Sequence, residues 1–378
     1  MTLYFTTIFA IYLLFLVLTY IAWRAIPGRF HQQFQAHIYV TVIIPVRNES
    51  SNIQYLLKDL QEQKYPHQLM EVIVVNDNSS DGTEGKVQNM INQVDYHLRV
   101  FNLELPIAFS GSSKKLAISQ AIAKAKGEII VTTDGDCRVR DNWLLHLIYP
   151  IQENEAVFVA GPVAFTDEKN YFQKLQTIEF SSLIISGAVA ISLHRPTMCN
   201  GANLAYRKDA FRRVNGYQGN EGIASGDDEF LLQKISKCFA ATRIIFQKSK
   251  EAIVFTSAQP DWKSFFQQRR RWAGKWKKHG NPVIMALALF VFIFQISFIA
   301  AVLLVLIQSS LNPVILWLIC TKILLEFILL KNALQFLNKK LNLLKFMVLQ
   351  FLYPFYVVYF GIAANFGSFN WKGRTYKN

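Results

Sequence analysis

The chain has 378 residues, enough for one large domain or two smaller ones, and a formal net charge of +14. Only 17% of its residues are charged, against 52% hydrophobic and 14% aromatic, which excludes an ordinary soluble domain with its roughly 25% charged residues. The four cysteines (Cys137, Cys199, Cys238, Cys320) are too scattered for a disulfide framework or a zinc site, and the histidines show no ligand spacing.

Residues 3–23 carry no charge and are long enough to cross a bilayer as a helix. A cleaved signal peptide would need a basic start, a shorter apolar run and a small-residue cleavage site, and none is visible. Residues 1–24 therefore read as an anchor, followed at once by Arg24 and Arg29. From there strand and helix alternate. "YVTVIIPV" (39–46) is a β-branched strand; "NIQYLLKDLQEQ" (52–63) has helical spacing at Ile53, Leu56, Leu57 and Leu60. "EVIVV" (71–75) is a second buried strand, stopped by the turn formers "NDNSSDGT". "HLRVFNL" (97–103), a helix through Lys115–Lys126 and the strand "EIIVTT" (128–133) complete the pattern. Unbroken apolar strands alternating with helices predict an α/β fold with a mostly parallel sheet covered on both faces.

Ligands of such sheets collect at the carboxyl ends of the strands, where Asp77 and the pair Asp134 and Asp136 fall. Neither a dinucleotide-binding G-x-G-x-x-G nor a P-loop is present. Two carboxylates separated by one glycine in a basic chain invite a cation. Mg2+ or Mn2+ suits hard oxygen ligands and leaves coordination positions for a diphosphate. Asp81 fits a helix N-cap before Gly82 and Thr83, which leaves Asp77 for another use. Asn48 and Glu49 suit either capping the first helix or touching a ribose. Lys114 precedes a helix and is placed either for a diphosphate or for solvent. Asp227, Asp228 and Glu229 open a helix, as the macrodipole favours, or supply a general base.

"DWKSFFQQRRRWAGKWKK" (261–278) reads as an amphipathic helix with seven basic residues between Trp262 and Lys278. Lying directly before an apolar span, its basic stripe suits anionic lipid rather than nucleic acid. Gln268, Arg271 and Trp272 share one face of it. Residues 282–307, 311–330 and 346–366 are candidate spans, one of them re-entrant or interfacial if the tail with Lys372, Arg374 and Lys377 stays on the basic side.

In order, "VIIPVRNES", "VVNDNSSDGT", "TTDGDC", "CNGANLAYRKDAF", "SGDDEFLL" and "QQRRRW" resemble the motifs of glycosyltransferase family 2, over roughly residues 38–275. Asn76 departs from the second aspartate of many members. The resemblance implies a GT-A nucleotide-binding fold at 38–258, an interfacial helix at 259–280, a C-terminal transmembrane region of two or three spans at 281–368, and a basic tail at 369–378. It implies that Pro45, Glu49, Asp77, Lys114, Asp134 and Arg271 contact a nucleotide-sugar. Asp134 and Asp136 would hold the metal, and Asn203, Gln268 and Trp272 would meet the acceptor. Asp228, or failing that Asp227, would act as base. The implied activity is inverting transfer from a UDP-sugar to a lipid or membrane-associated acceptor at the cytoplasmic face of a bacterial-type inner membrane. A processive polysaccharide synthase of the hyaluronan or cellulose type is the alternative. A membrane scaffold or channel with a degenerate nucleotide fold is the alternative of a different class.

Overall fold

A computed structural model describes residues 2–28, 30–106, 111–166, 168–223, 225–274, 281–307, 313–363, 368–371 and 374–377. In chain order the elements are α1 (Thr2–Ala25), β1 (Val40–Val46), α2 (Ile53–Gln61), β2 (Met70–Asn76), α3 (Thr83–Met90), β3 (His97–Asn102) and α4 (Ser113–Lys124). There follow β4 (Ile129–Thr132), α5 (Trp143–Glu153), β5 (Phe158–Ala160), β6 (Val163–Phe165), α6 (Tyr171–Ser192), β7 (Leu204–Arg207), α7 (Lys208–Arg213) and α8 (Glu229–Cys238). The chain ends with β8 (Ile244–Phe246), β9 (Val254–Thr256), α9 (Trp262–Ala273), α10 (Pro282–Ile307), α11 (Pro313–Phe336), α12 (Leu343–Ala363), β10 (Ser368–Trp371) and β11 (Arg374–Lys377). Two compact units result. A sheet unit comprises Ile26–Asp167 and Gly187–Ala258, and a helical unit Met1–Ala25, Glu168–Ser186 and Gln259–Asn378.

In the sheet unit seven strands lie in the order β3-β2-β1-β4-β7-β5-β8. The first four are parallel, as the apolar runs predict, while β7 runs antiparallel between β4 and β5. Pro45 sits within β1 opposite Val75, yet the β1–β4 ladder ends at the pair Ile43 and Thr132. Its missing N–H therefore costs no ladder bond on that side. At the opposite, amino-terminal edge of the sheet the buried Glu71 is the staple. One of its oxygens accepts from Thr41 Oγ1 at 2.6 Å and from the Lys126 N–H, and the other from Arg99 at 2.9 Å. Gly127 closes the same edge, because a Cβ there would lie 2.5 Å from the Thr41 nitrogen.

The helical unit contains α1, most of α6, and α9 to α12. Among the described residues, five helices (α1, α6, α10, α11, α12) are long and apolar enough to cross a membrane. For α1, α10, α11 and α12 only 22–28% of the apolar window is buried in protein, as expected of lipid-facing helices, whereas for α6 it is 72%. The sequence reading did not single out α6: Lys174 and Glu179 interrupt its apolar run. The C-terminal expectation of two or three spans meets three long helices. Tyr12 of α1 stacks on Phe294 of α10 at 3.5 Å, and the Trp23 indole donates to Asn332 of α11 at 2.9 Å. Ile178, Leu330, Leu334 and Phe346 form a core where α6, α11 and α12 meet. Within the segment 259–280, expected as an interfacial helix, the described helix is α9 (Trp262–Ala273); Lys275, Trp276, Lys277 and Lys278 lie outside the described residues, as do Arg29 and Lys372. The backbone on either side of Lys372 pairs as an antiparallel hairpin, β10 with β11.

Glu71→Ala would take the acceptor from the buried Thr41 hydroxyl and the carboxylate from Arg99, which at 34% exposed can still reach water. A buried donor left without a partner costs about 1–3 kcal/mol, so this variant should lose part of its folded yield, measured as the monodisperse fraction after purification, and Glu71→Gln should lose less.

Candidate active site

The carboxyl ends of β1, β2 and β4 carry the loops singled out by the sequence. After β1, the Asn48 backbone is left-handed, with φ 55°, and its side-chain oxygen accepts the Ser80 N–H at 2.9 Å. The Ser50 N–H donates to Asp81 Oδ2 at 2.9 Å, and the Glu49 N–H to Thr83 Oγ1 at 2.9 Å. Asp81 also accepts the Thr83 N–H at 3.1 Å, but it is not the N-cap expected from the sequence: left-handed Gly82 takes that position, and Asp81 sits one residue before it. Burial acts to raise its carboxyl, but the bonds from Thr83 and Ser50 outweigh that and hold it well below the ordinary range. Asp77 is 7% exposed; its N–H donates to the Val46 carbonyl, and Arg47 approaches its carboxylate at 3.5 Å. Asn76, where many family members have an acid, bonds Asn102 at 2.6 Å and Glu84 at 3.3 Å. Glu49 stays local as well, accepting from the Asn52 amide at 2.9 Å.

The turn after β4 explains the glycine between the two aspartates. A Cβ on Gly135 would meet Val46 Cγ1 at 2.7 Å and Glu49 Cγ at 3.2 Å, so only glycine lets this turn close over β1. Asp136 accepts from Thr256 Oγ1 at 3.1 Å. Asp134 lies 2.7 Å from Lys114 Nζ, and the same ammonium lies 3.1 Å from Asp227. Residues from α4, the β4 turn and the loop before α8, widely separated in sequence, thus converge on one cation. Gly201 backs the cluster: its N–H donates to Asp228 Oδ2 at 2.9 Å, and a Cβ there would lie 2.8 Å from Asp227 Oδ2. The other oxygen of Asp228 accepts the Glu229 N–H at 2.7 Å and caps α8.

Charge in this cluster follows from its geometry. Burial acts to lower the Lys114 ammonium, but Asp134, Asp227 and Asp228 together raise it above its ordinary 10.5. Burial acts to raise Asp227, and Lys114 overcomes it, leaving the carboxyl below its ordinary 3.8. Burial, reinforced by Asp136 and Asp134, pushes the neighbouring Cys137 thiol up. Among the described residues no group of three or more His, Cys, Asp or Glu is arranged as a metal cage. Asp134, beside the Lys114 ammonium, and Asp136, beside the Thr256 hydroxyl, are hard oxygen donors after one strand, of the kind that suits a divalent cation completed by substrate oxygens.

Other residues singled out in the sequence lie away from this cluster. Asn203, expected at the acceptor, is fully buried. Its amide donates to the Pro162 and Ala252 carbonyls, both at 2.7 Å, and accepts the Trp143 indole N–H at 3.0 Å. It staples the core beneath the sheet. Gln268, Arg271 and Trp272 belong to α9 in the helical unit. Lys115, the neighbour of Lys114 and 1% exposed, donates to the carbonyls of Asn220 at 2.8 Å and Ile223 at 3.0 Å, tying α4 to the loop that leads to Asp227. Arg47 and Thr256 were not anticipated either. Their partners lie 30 and 120 positions away, and no local spacing signals such pairs.

An open α/β sheet with this acidic strand-end constellation is a GT-A fold. The profile of glycosyl transferase family 2 matches residues 41–214, and that of glycosyl transferase family group 2 matches residues 129–360, more than half of the chain. The chain belongs to the family 2 glycosyltransferases. Glycosyltransferase AglE of Haloferax volcanii is 29% identical over 189 residues, 50% of this chain and 59% of that protein. Beta-monoglucosyldiacylglycerol synthase of Trichormus variabilis is 29% identical over 250 residues, 65% of this chain and 51% of that protein. Poly-beta-1,6-N-acetyl-D-glucosamine synthase of Staphylococcus epidermidis is 26% identical over 155 residues, 41% of this chain and 35% of that protein. The chain thus spans little more than half the length of the first two and less of the third. The mannosyltransferase of Pyrobaculum calidifontis, solved with GDP-Man and Mn2+, superposes with a TM-score of 0.58 over 96% of each chain at 18% identity, a likeness of fold.

Two outcomes follow from this geometry. Asn203→Ala would take their Asn203 partner from the buried Ala252 carbonyl and the Trp143 indole N–H, while the Pro162 carbonyl keeps the Val254 N–H; each buried group so deprived costs about 1–3 kcal/mol, so it should lower the melting temperature and depress nucleotide binding and turnover together; an acceptor contact alone would leave the melting temperature unchanged. The second concerns pH. Asp227, depressed in the fold, contributes stability present above 3.8 and lost as pH falls through its lowered value; Lys114, raised, contributes below 10.5 and loses its share only as pH climbs through its higher one. In metal-free protein Lys114→Met should therefore melt earlier at neutral pH and show a weaker decline in acid, read from melting curves over a pH series. Parallel curves for the two proteins would uncouple Lys114 from Asp227.

Proposed function

We propose that this glycosyltransferase inverts configuration as it transfers a sugar from a nucleotide-sugar, a UDP-sugar in our reading, to a lipid or membrane-associated acceptor. The observation that carries it is the convergence of Lys114, Asp134, Asp227 and Asp228 at the carboxyl ends of a nucleotide-type sheet. Asp77, at the end of β2, is assigned to the base, and Pro45 and Glu49 to the nucleoside side of the donor. Asp134 and Asp136 would hold Mg2+ or Mn2+, which when bound neutralises the diphosphate and makes it a better leaving group.

Asp228 takes the proton of the acceptor hydroxyl. The acceptor oxygen forms its bond to the anomeric carbon as the bond to the phosphate oxygen breaks, and the electron pair leaves on the nucleoside diphosphate. One displacement from the opposite face inverts the centre. Asp227 is a poorer base because its charge is committed to Lys114, which lowers its proton affinity. Two backbone N–H groups orient Asp228. Lys114 supplies positive charge where the diphosphate departs. To Arg271 and to Gln268 and Trp272 we assign, on the Q-x-x-R-W pattern, the diphosphate and acceptor roles respectively.

The diacylglycerol-glycosylating relative favours a lipid acceptor, and the polysaccharide-synthase relative keeps a growing polymer as the second reading. The same proposal puts catalysis at the cytoplasmic face of a bacterial-type inner membrane, on the basic residues that flank the apolar helices.

Purified enzyme given labelled sugar nucleotides and extracted lipids should add one sugar and stop, with the product identified by mass spectrometry. Products that lengthen with donor supply would establish the synthase. Excess EDTA should abolish transfer and added Mn2+ or Mg2+ restore it. Asp228→Asn should keep near-normal nucleotide affinity while turnover falls by roughly 10²–10⁴-fold. If Asp227→Asn alone behaves so, the base is Asp227.

A further inference from the structure

Arg269 occupies an unspecified position of the Q-x-x-R-W segment, yet with Phe265 it is one of the two residues that α9 buries. It is 2% exposed. Its guanidinium donates to Glu179 of α6 through one nitrogen and to the Gln268 side-chain oxygen through another, the latter at 2.6 Å. Its carbon lies 4.6 Å from the Phe265 ring centre and 4.2 Å from that of Trp272. Glu179 also accepts the Tyr356 hydroxyl of α12 at 3.1 Å. All of these groups belong to the helical unit.

An ion pair this buried is an expensive way to pack three helices, since apolar side chains of similar volume are often as stabilising. What the pair adds is direction. A planar guanidinium binds a carboxylate, an amide oxygen and an aromatic face in fixed relative orientation, which a lysine ammonium does not. Two of the groups so held, Gln268 and Trp272, are those assigned above to the acceptor. We propose that Arg269 and Glu179 form a positioning pair that sets the side chains of Gln268 and Trp272 and thereby the enzyme's affinity for its acceptor. The role in acceptor affinity rests on the functional reading of those two residues; the clamp itself does not.

The test uses full-length enzyme in detergent. The double variant Arg269→Met with Glu179→Gln removes both charges without stranding either, and size exclusion and melting establish that it folds. With a labelled UDP-sugar and a total membrane lipid extract, its apparent KM for acceptor should rise about tenfold or more, as expected when reacting groups are misplaced. KM for the donor should stay near wild type. Hydrogen exchange of residues 262–273 should quicken while the sheet unit keeps its protection. A folded double variant with wild-type acceptor KM overturns the positioning role. If wild-type enzyme transfers no sugar, the functional reading has failed, and hydrogen exchange alone decides: unchanged protection of 262–273 overturns the clamp. Should the double variant not fold, Tyr356→Phe removes one bond to Glu179 and should move acceptor KM and exchange in the same directions by less; no change in either overturns the proposal.

Discussion

Like charges brought together at one edge of a sheet need a counter-charge, and Lys114 supplies it. Asp134 follows β4 and Asp227 precedes α8, and their carboxylates would repel each other if the ammonium did not lie within 3.1 Å of both. Much of the surrounding backbone serves that meeting. Ser112 caps α4 one turn before, with its hydroxyl toward the Lys115 N–H. Lys115, buried beside Lys114, holds the carbonyls of the loop that delivers Asp227. Gly201 leaves room where any side chain would press on Asp227. In the proposed function a lysine bridging two acids would also exchange partners without leaving the site, because a diphosphate would offer the lysine, and a divalent cation the acids, an alternative counter-charge.

The sequence made the parallel half of the sheet legible because buried strands are runs of β-branched residues and their ends are marked by turn formers. All four early strands fall within a residue or so of their expected places. The later half was harder. Strands β5, β6, β8 and β9 have three residues each, too short for a periodic signal, and β7 takes an antiparallel place that no local pattern encodes. Of the site, the acids were visible as motifs and Lys114 as one of two lysines. Which lysine faces the acids, and what the other does, depends on tertiary contacts, most of them more than a hundred positions apart in sequence. Asn203 shows the opposite failure. A polar residue in a motif segment suggests a ligand contact, whereas its amide completes the hydrogen bonds of two carbonyls and an indole in the core. Only tertiary structure distinguishes a polar group that binds outward from one that satisfies the interior.

The same distinction governs the helical unit. Lys322 and Glu326 of α11, Gln350 of α12 and Tyr12 of α1 form a connected network, with the ammonium 3.0 Å from Glu326 and the Tyr12 hydroxyl 2.8 Å from it. Each lies near the middle of its helix, facing neighbouring helices rather than lipid. Polar groups at that depth are costly alone and tolerable in company. They also give direction to contacts that apolar side chains alone leave slippery, because lipid tails compete with leucine for leucine but not for a carboxylate.

Two buried ion networks therefore serve different ends in one chain. At the sheet edge the pairs are partly open to solvent and join the acids to which the proposed function assigns substrate and metal, so in that reading their charge is available for chemistry. In the helices the pairs are closed, and their charge is spent on orientation. Glu179 with Arg269 belongs to the second kind by burial, yet Arg269 contacts Gln268 and Trp272, two members of a functional motif. A closed pair in contact with an open motif turns helix packing into side-chain geometry, and that explains an arginine at a position the motif itself leaves unspecified.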